Sequence, residues 1–267
     1  MRDMAPVTVG VLALQGGVGE HIALLKKAAT HIASSHGTTT SSPKGGIIEF
    51  NFVEVRTAEQ LARTDALIIP GGESTTMAIV ARRLGLLDPL RHFVKVDHKP
   101  VWGTCAGLVM LAEEASATKQ GGQELVGGLD VRVLRNRYGT QIQSFVAELD
   151  LPFLGDGEKP FRGVFIRAPV VEEIMSRSAA GESDHVAEPA ANGNSNNTTE
   201  PVQVLGVFRK PGATGEPDED VVAVRQRNVF GTSFHPELTD DIRIHTWWLG
   251  QVLAAVRHGD LVVSKTE

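Results

Sequence analysis

One cysteine, Cys105, stands in a chain of 267 residues. That scarcity excludes an internal disulfide framework and any metal site built on several cysteines, and it fits a reducing, cytoplasmic setting. Excess positive charge is missing too: the formal net charge is −6, with lysine and arginine spread along the chain, so nucleic acid is not an expected partner. Long apolar runs are also absent. The first, Val7 to Leu14 behind Met1-Arg2-Asp3-Met4-Ala5-Pro6, contains Thr8 and Gly10. It is too short for a membrane span and lacks the layout of a signal peptide, so it reads as a buried first strand. No internal repeat and no linker separating two cores is visible, and the length suits one large α/β domain.

What is present is a series of short, β-branched apolar runs, each closed by glycine or proline and followed by a helical pattern. Val7 to Leu14 ends at Gln15-Gly16-Gly17, with a helix expected from Val18 to about Ala33. A near-continuous apolar strand belongs in a parallel sheet covered on both faces, and ligands bind at the carboxyl ends of such strands, which places Gln15 near any site. Strands follow at Ile47 to Val55 and Ala66 to Ile69. The second runs into Pro70-Gly71-Gly72-Glu73-Ser74-Thr75-Thr76, where the Ser-Thr-Thr cluster is expected to cap a new helix and the glycine N–H groups are free to face a cleft. Residues 77–99 read as two helical segments broken at Asp88-Pro89. Gly127 to Leu134 and Gln141 to Leu149 alternate apolar and polar residues, as antiparallel strands with one exposed face do. Arg135 lies between them, and its planar guanidinium suits a carboxylate. Phe161 to Ala168 is a further strand, residues 202–208 and 221–225 a strand pair, and Asp241 to His258 an amphipathic helix. Polar insertions are expected at 34–46, 176–200 and 210–220, inside a domain spanning 7–258 with tails at 1–6 and 259–267.

Two motifs carry chemistry. Val101-Trp102 leads through Gly103-Thr104-Cys105-Ala106-Gly107 into a helical stretch, so Cys105 sits on a strand-to-helix elbow that needs flanking glycines for its dihedrals and for close helix–sheet approach. Facing a helix N-terminus, a cysteine there is placed as a nucleophile. Phe234-His235-Pro236-Glu237 offers the complement: a histidine base and, two positions on, a carboxylate able to turn back and orient the ring. The other histidines, His21 and His245 among them, lack such a frame and read as structural or solvated.

Pro-Gly-Gly-Glu-Ser-Thr (70–75), Gly-Thr-Cys-Ala-Gly (103–107) and Ser-Phe-His-Pro-Glu-Leu (233–238) together resemble the class I glutamine amidotransferases. With Gly-Val-Leu-Ala-Leu-Gln-Gly (10–16), Arg135-Asn136, Tyr138-Gly139 and Val-Phe-Ile-Arg-Ala-Pro (164–169), the chain is most similar to the glutaminase-subunit family of pyridoxal 5′-phosphate synthases. Val109 stands where many class I amidotransferases have a glutamine that this subfamily also lacks; Gly19 stands where its members commonly have arginine. The resemblance implies a flavodoxin-like three-layer α/β/α sandwich with a mainly parallel sheet, in a single domain. It also implies hydrolysis of L-glutamine through a Cys105 thioester, with His235 as acid and base, Glu237 orienting it, and an oxyanion hole from the N–H groups of Gly72 and Ala106. Substrate would be held by Gly72, Glu73, Ser74, Arg135, Ile166 and Arg167. The partner would be the synthase's lyase subunit, receiving ammonia; no cofactor or metal is implied here, pyridoxal phosphate being the partner's product. A catalytically silent regulatory subunit, or a glutaminase or cysteine hydrolase serving another pathway, are the alternatives.

Overall fold

The structure, a computed structural model, describes residues 6–36, 49–116, 123–135, 144–155, 159–175, 200–209 and 219–257. In chain order its elements are β1 (Val7–Leu12), α1 (Val18–His36), β2 (Phe50–Val55), α2 (Ala58–Ala62), β3 (Ala66–Ile69), α3 (Ser74–Arg83), α4 (Leu87–Lys95), β4 (Val101–Thr104), α5 (Ala106–Leu111), β5 (Ala112–Ser116) and β6 (Leu129–Leu134). There follow β7 (Ser144–Leu149), β8 (Phe161–Ile166), β9 (Val170–Ile174), β10 (Gln203–Arg209), β11 (Glu219–Gln226), β12 (Val229–Thr232) and α6 (Arg243–Arg257).

One sheet runs in the order β2-β1-β3-β4-β12-β11-β9-β6-β5, with β10 also paired to β11, while β7 and β8 form a separate antiparallel pair. From β2 to β12 every pairing is parallel. β1, β3, β4 and β12 are buried on both faces, which is why they read as near-continuous apolar runs, while the edge strand β2 is only partly buried. Alternation sends Val9, Val11, Ile68 and Trp102 toward α1 and α6, where Leu25, Ala28, Trp248 and Val252 meet them. Leu12, Leu67, Ile69 and Val101 point the other way, onto Met77, Leu90, Phe93 and Leu108 of α3 to α5. The result is the three-layer α/β/α sandwich, in a single domain.

Several local expectations change. The helical break falls at Leu84-Gly85-Leu86, not at Asp88-Pro89. Gly85, at φ +66, closes α3 with its N–H on Arg82 O at 3.1 Å and that of Leu86 on Ala81 O at 2.8 Å, the two bonds of a Schellman end that favours glycine. Pro89 sits in the first turn of α4, where a missing N–H leaves no bond unmade. The cap of α3 is Glu73, accepting from Thr75 N and Thr76 N, and not the Ser-Thr-Thr cluster. β6 is mostly buried and pairs with β5 and β9 inside the main sheet, whereas β7 keeps the half-exposed alternation its sequence shows. β5 and β9, each five residues long with a pair of glutamates inside, have no counterpart in the sequence reading. Residues 34–36 belong to α1 and 219–220 to β11. The remaining parts of the three expected insertions, 37–46, 176–199 and 210–218, lie outside the described residues, as do 1–5 and 258–267.

Candidate active site

The carboxyl ends of the parallel strands open onto a cavity of about 460 Å³ lined by Gln15, Gly72, Glu73, Ser74, Cys105, Ala106, Arg135, Ile166, Arg167, His235 and Glu237. These are all the site residues expected from sequence, drawn from segments after β1, β3, β4, β6, β8 and β12. Gly16, Gly17, Glu20, Val109, Pro169 and Leu238 line it as well. A second hollow, about 550 Å³, lies at the amino ends of β4 and β12 beside Pro100 and Asn228 and holds no nucleophilic side chain.

Cys105 occupies the elbow between β4 and α5 with φ 49° and ψ −105°, a conformation that costs a non-glycine residue of order 1–3 kcal/mol unless its surroundings impose it. They do so through backbone. Cys105 N donates to Thr232 O at 2.8 Å, and a Cβ added at Gly107 would lie 1.9 Å from Ile69 O. α5 therefore sits hard against β3, and the elbow has no room to relax. The thiol remains 6 % exposed, facing the cavity, with its sulfur 3.9 Å from Ile166 O.

β12 is the parallel neighbour of β4, with Thr232 in register with Thr104, so the residues leaving the two strands emerge side by side. His235 N is tied to Val164 O at 2.8 Å. Its ring lines the same cavity as Cys105 and, through Nδ1, hydrogen-bonds Glu237 Oε1 at 2.8 Å. Glu237 gains this reach from the short 3₁₀ turn Pro236–Leu238. Burial works against a charge on His235, but its neighbours Cys105 and Glu237 prevail and raise its pKa to about 10. The imidazole thus holds a proton at neutral pH and can give it to a leaving group.

The loop after β3 is fixed by Gln15, whose Oε1 accepts from Glu73 N at 2.9 Å. Two expected substrate receptors are engaged with other groups: Arg135 Nη2 donates to Glu73 Oε1 at 3.0 Å, and Ser74 Oγ to Gln123 Oε1 at 3.1 Å. Asn136 to Gly139, which the resemblance also used, lie outside the described residues.

Sequence reasoning passed over two residues behind the site. His21 of α1 and His245 of α6 are wholly buried. His21 Nε2 stands 3.4 Å from Glu237 Oε2 and its Nδ1 3.0 Å from His245 Nε2. Each is a histidine on the apolar face of its helix, His245 in the buried set with Trp248, Leu249 and Val252; that placement is the one signal the sequence offered. Among the described residues there is no cluster of histidine, cysteine and carboxylate side chains able to hold a metal, and no helix is long and apolar enough to cross a membrane.

A thiol, a histidine and a buried carboxylate gathered in one cavity are the groups that acyl-transfer chemistry uses. Comparison with known proteins agrees. Residues 11–190 and 203–254 match the SNO glutamine amidotransferase family. The probable pyridoxal 5′-phosphate synthase subunit PDX2 of Arabidopsis thaliana is 43% identical over 247 residues, 91% of this chain and 85% of that one. The pyridoxal 5′-phosphate synthase subunit PdxT of Pyrococcus furiosus is 39% identical over 92% of this chain and 100% of its own. A crystal structure of a glutamine amidotransferase superimposes with a TM-score of 0.60 at 35% identity, covering 91% of this chain and 98% of the other.

Proposed function

Since the chain belongs to the SNO glutamine amidotransferase family, we propose that it hydrolyses L-glutamine to L-glutamate and ammonia as the glutaminase subunit of a pyridoxal 5′-phosphate synthase. The observation that carries this reading is a line of side chains in one cavity, Cys105, His235 and the buried Glu237, with His235 Nδ1 2.8 Å from Glu237 Oε1. Family membership supplies the substrate class; the line supplies the chemistry.

In the proposed cycle the sulfur of Cys105 attacks the side-chain amide carbon. The oxyanion that forms is held by the N–H groups of Gly72 and Ala106, donors preorganised by the β3 loop and the α5 elbow. Collapse breaks the C–N bond as His235 passes its proton to the departing nitrogen, giving ammonia and a glutamyl thioester. Water then attacks the thioester while the now neutral His235 takes a proton from it, and expulsion of the sulfur restores the starting pair. The new carboxyl group loses its remaining proton to solvent, so hydrolysis balances as glutamine plus water to glutamate, ammonia and a proton. Glu237 keeps Nδ1 of His235 protonated, which aims Nε2 at the reacting atoms.

Glu73, Ser74, Arg135, Ile166 and Arg167 are assigned to the amino and carboxylate ends of the substrate, and Gln15 to support of the Gly72-Glu73 loop. The partner is a synthase lyase subunit that consumes the ammonia, and the site of action is the cytoplasm. Measured glutamate release from L-glutamine by the purified chain, alone and with such a subunit, tests the proposal. Hydrolysis that rises with the partner is expected. No hydrolysis in either condition overturns the reading in favour of a silent subunit, and hydrolysis indifferent to the partner points to another pathway.

A further inference from the structure

The cycle above uses one oxygen of Glu237 and leaves the other unexplained. Oε1 receives His235 Nδ1 at 2.8 Å. Oε2 is buried and makes no hydrogen bond of standard geometry among the described residues; what faces it, at 3.4 Å, is Nε2 of His21. A carboxylate oxygen out of water needs a donor. The same ring nitrogen is 3.4 Å from Thr104 Oγ1, next to the nucleophile in sequence, and the His21 ring stands edge-on to Trp102 at 5.6 Å. His245 completes the line behind it, wedged against Trp102 with ring centroids 4.9 Å apart.

We propose that His21 and His245 are positioning residues for the reaction: a proton-ordered pair, both neutral and both carrying hydrogen on Nε2, that fixes the second oxygen of Glu237. The proposal rests on the glutaminase reading of the site and deepens it. One proton lies between His21 Nδ1 and His245 Nε2, 3.0 Å apart, and it can belong to either ring. If His21 owned it, a lone pair on His21 Nε2 would face the Glu237 carboxylate, and the N–H at His245 Nδ1 would be buried with no acceptor among the described residues. If His245 owns it, His21 carries its hydrogen on Nε2, which stands 3.4 Å from Glu237 Oε2 and 3.4 Å from Thr104 Oγ1, and His245 Nδ1 carries a bare lone pair, the cheaper group to leave unmatched. The second arrangement puts a donor beside the carboxylate and leaves no buried N–H at His245 Nδ1 without an acceptor, while Thr104 Oγ1 accepts from His21 Nε2 instead of donating to it. Burial, with the neighbouring His245 and His235, keeps His21 uncharged, and burial outweighs Asp241 in pushing His245 down to about 3. The pair therefore stays neutral beside a charged His235.

With both oxygens held, the Glu237 carboxylate cannot swing away from Nδ1, and His235 keeps the tautomer that its exchange with Cys105 requires. This is support of an orienting group from behind, of the kind that costs about tenfold or more in rate when removed.

Two measurements test it. Imidazole proton–nitrogen correlation spectra of protein labelled with ¹⁵N-histidine, assigned with His21→Gln and His245→Phe, are expected to show Nε2–H for both rings at neutral pH; an Nδ1–H or a doubly protonated His21 overturns the proposal. In steady-state kinetics, His21→Met, which removes the donor at similar length, is expected to lower kcat about tenfold or more with KM nearly unchanged. His21→Gln, whose amide N–H reaches the same oxygen, is expected to recover most of it. Equal losses in both variants with equal falls in thermal midpoint, or no loss in either, overturn the positioning role. Absence of glutaminase activity in the wild-type protein overturns the functional reading instead, and the tautomer spectrum still decides on the pair.

Discussion

Arg135 and Glu73, which the sequence offers as two separate substrate receptors, are one hydrogen-bonded unit, Arg135 Nη2 to Glu73 Oε1 at 3.0 Å. Glu73 has other obligations. It accepts from Thr75 N, Thr76 N and, at 2.6 Å, Thr76 Oγ1. Burial opposes its charge, yet the bonds from Thr76 and Thr75 hold its pKa down to about 2. The carboxylate that caps α3 also holds the guanidinium in the cavity, so under the proposed function helix capping and substrate recognition share one carboxylate.

Two variants separate those duties. Arg135→Met is expected to raise KM for L-glutamine about tenfold or more, the worth of one charge-assisted hydrogen bond, with kcat little changed in steady-state assays. Glu73→Gln is expected to cost about 1 kcal/mol of stability as a lost cap. The stability Glu73 contributes is present above its ordinary 4.5 and is lost as pH falls toward about 2, so urea midpoints of wild type and variant should converge at the acid end.

Strain at the elbow is measurable. Cys105→Ala and Cys105→Gly both remove the nucleophile and should abolish hydrolysis, while only glycine relieves a φ of 49°. The glycine variant is expected to be the more stable of the two by about 1 kcal/mol in urea unfolding. Equal midpoints would show that the backbone stores nothing there.

For His235 the pH dependence has the opposite sense to that of Glu73. Its pKa is raised from 6.5 to about 10, so the stability gained from Cys105 and Glu237 is fully present below 6.5 and lost as pH rises through 10. His235→Gln should be inactive throughout. Its deficit in urea midpoint relative to wild type is expected to be largest at or below neutral pH and to shrink in alkali; a deficit that grows with pH contradicts the assigned charge.

Gly107→Ala tests the close approach of α5 to β3. The added methyl would lie 1.9 Å from the carbonyl oxygen of Ile69, backbone that cannot step aside. Destabilisation of about 3 kcal/mol is expected, at the upper end for overpacking, together with loss of activity as the elbow shifts. Circular dichroism melts and glutamate release read the two effects.

The legible parts of this protein were those where one stretch of chain suffices. Val7 to Leu12 reads as a covered strand because both its faces are apolar, and Cys105 reads as a nucleophile because the glycines around it are those an elbow needs. Legibility failed where the deciding partner is distant. Nothing in Ala112–Ser116 announces a strand until Leu129–Leu134 lies beside it, and Pro89 looks like a helix breaker until its place in a first turn is known. His21 and His245 are 224 positions apart, each an unremarkable helix histidine. Only the meeting of α1, α6 and the turn after β12 gives them a carboxylate to serve.

The placement of β12 next to β4 also sets a sequence of events during synthesis. Cys105 is made well before Val229, so over the residues between them the growing chain has its thiol but neither His235 nor Glu237, and β4 lacks its neighbour β12. A chain truncated anywhere ahead of β12 is chemically idle. The cavity gathers all three side chains only with β12 in place between β4 and β11, so a complete site requires a complete sheet.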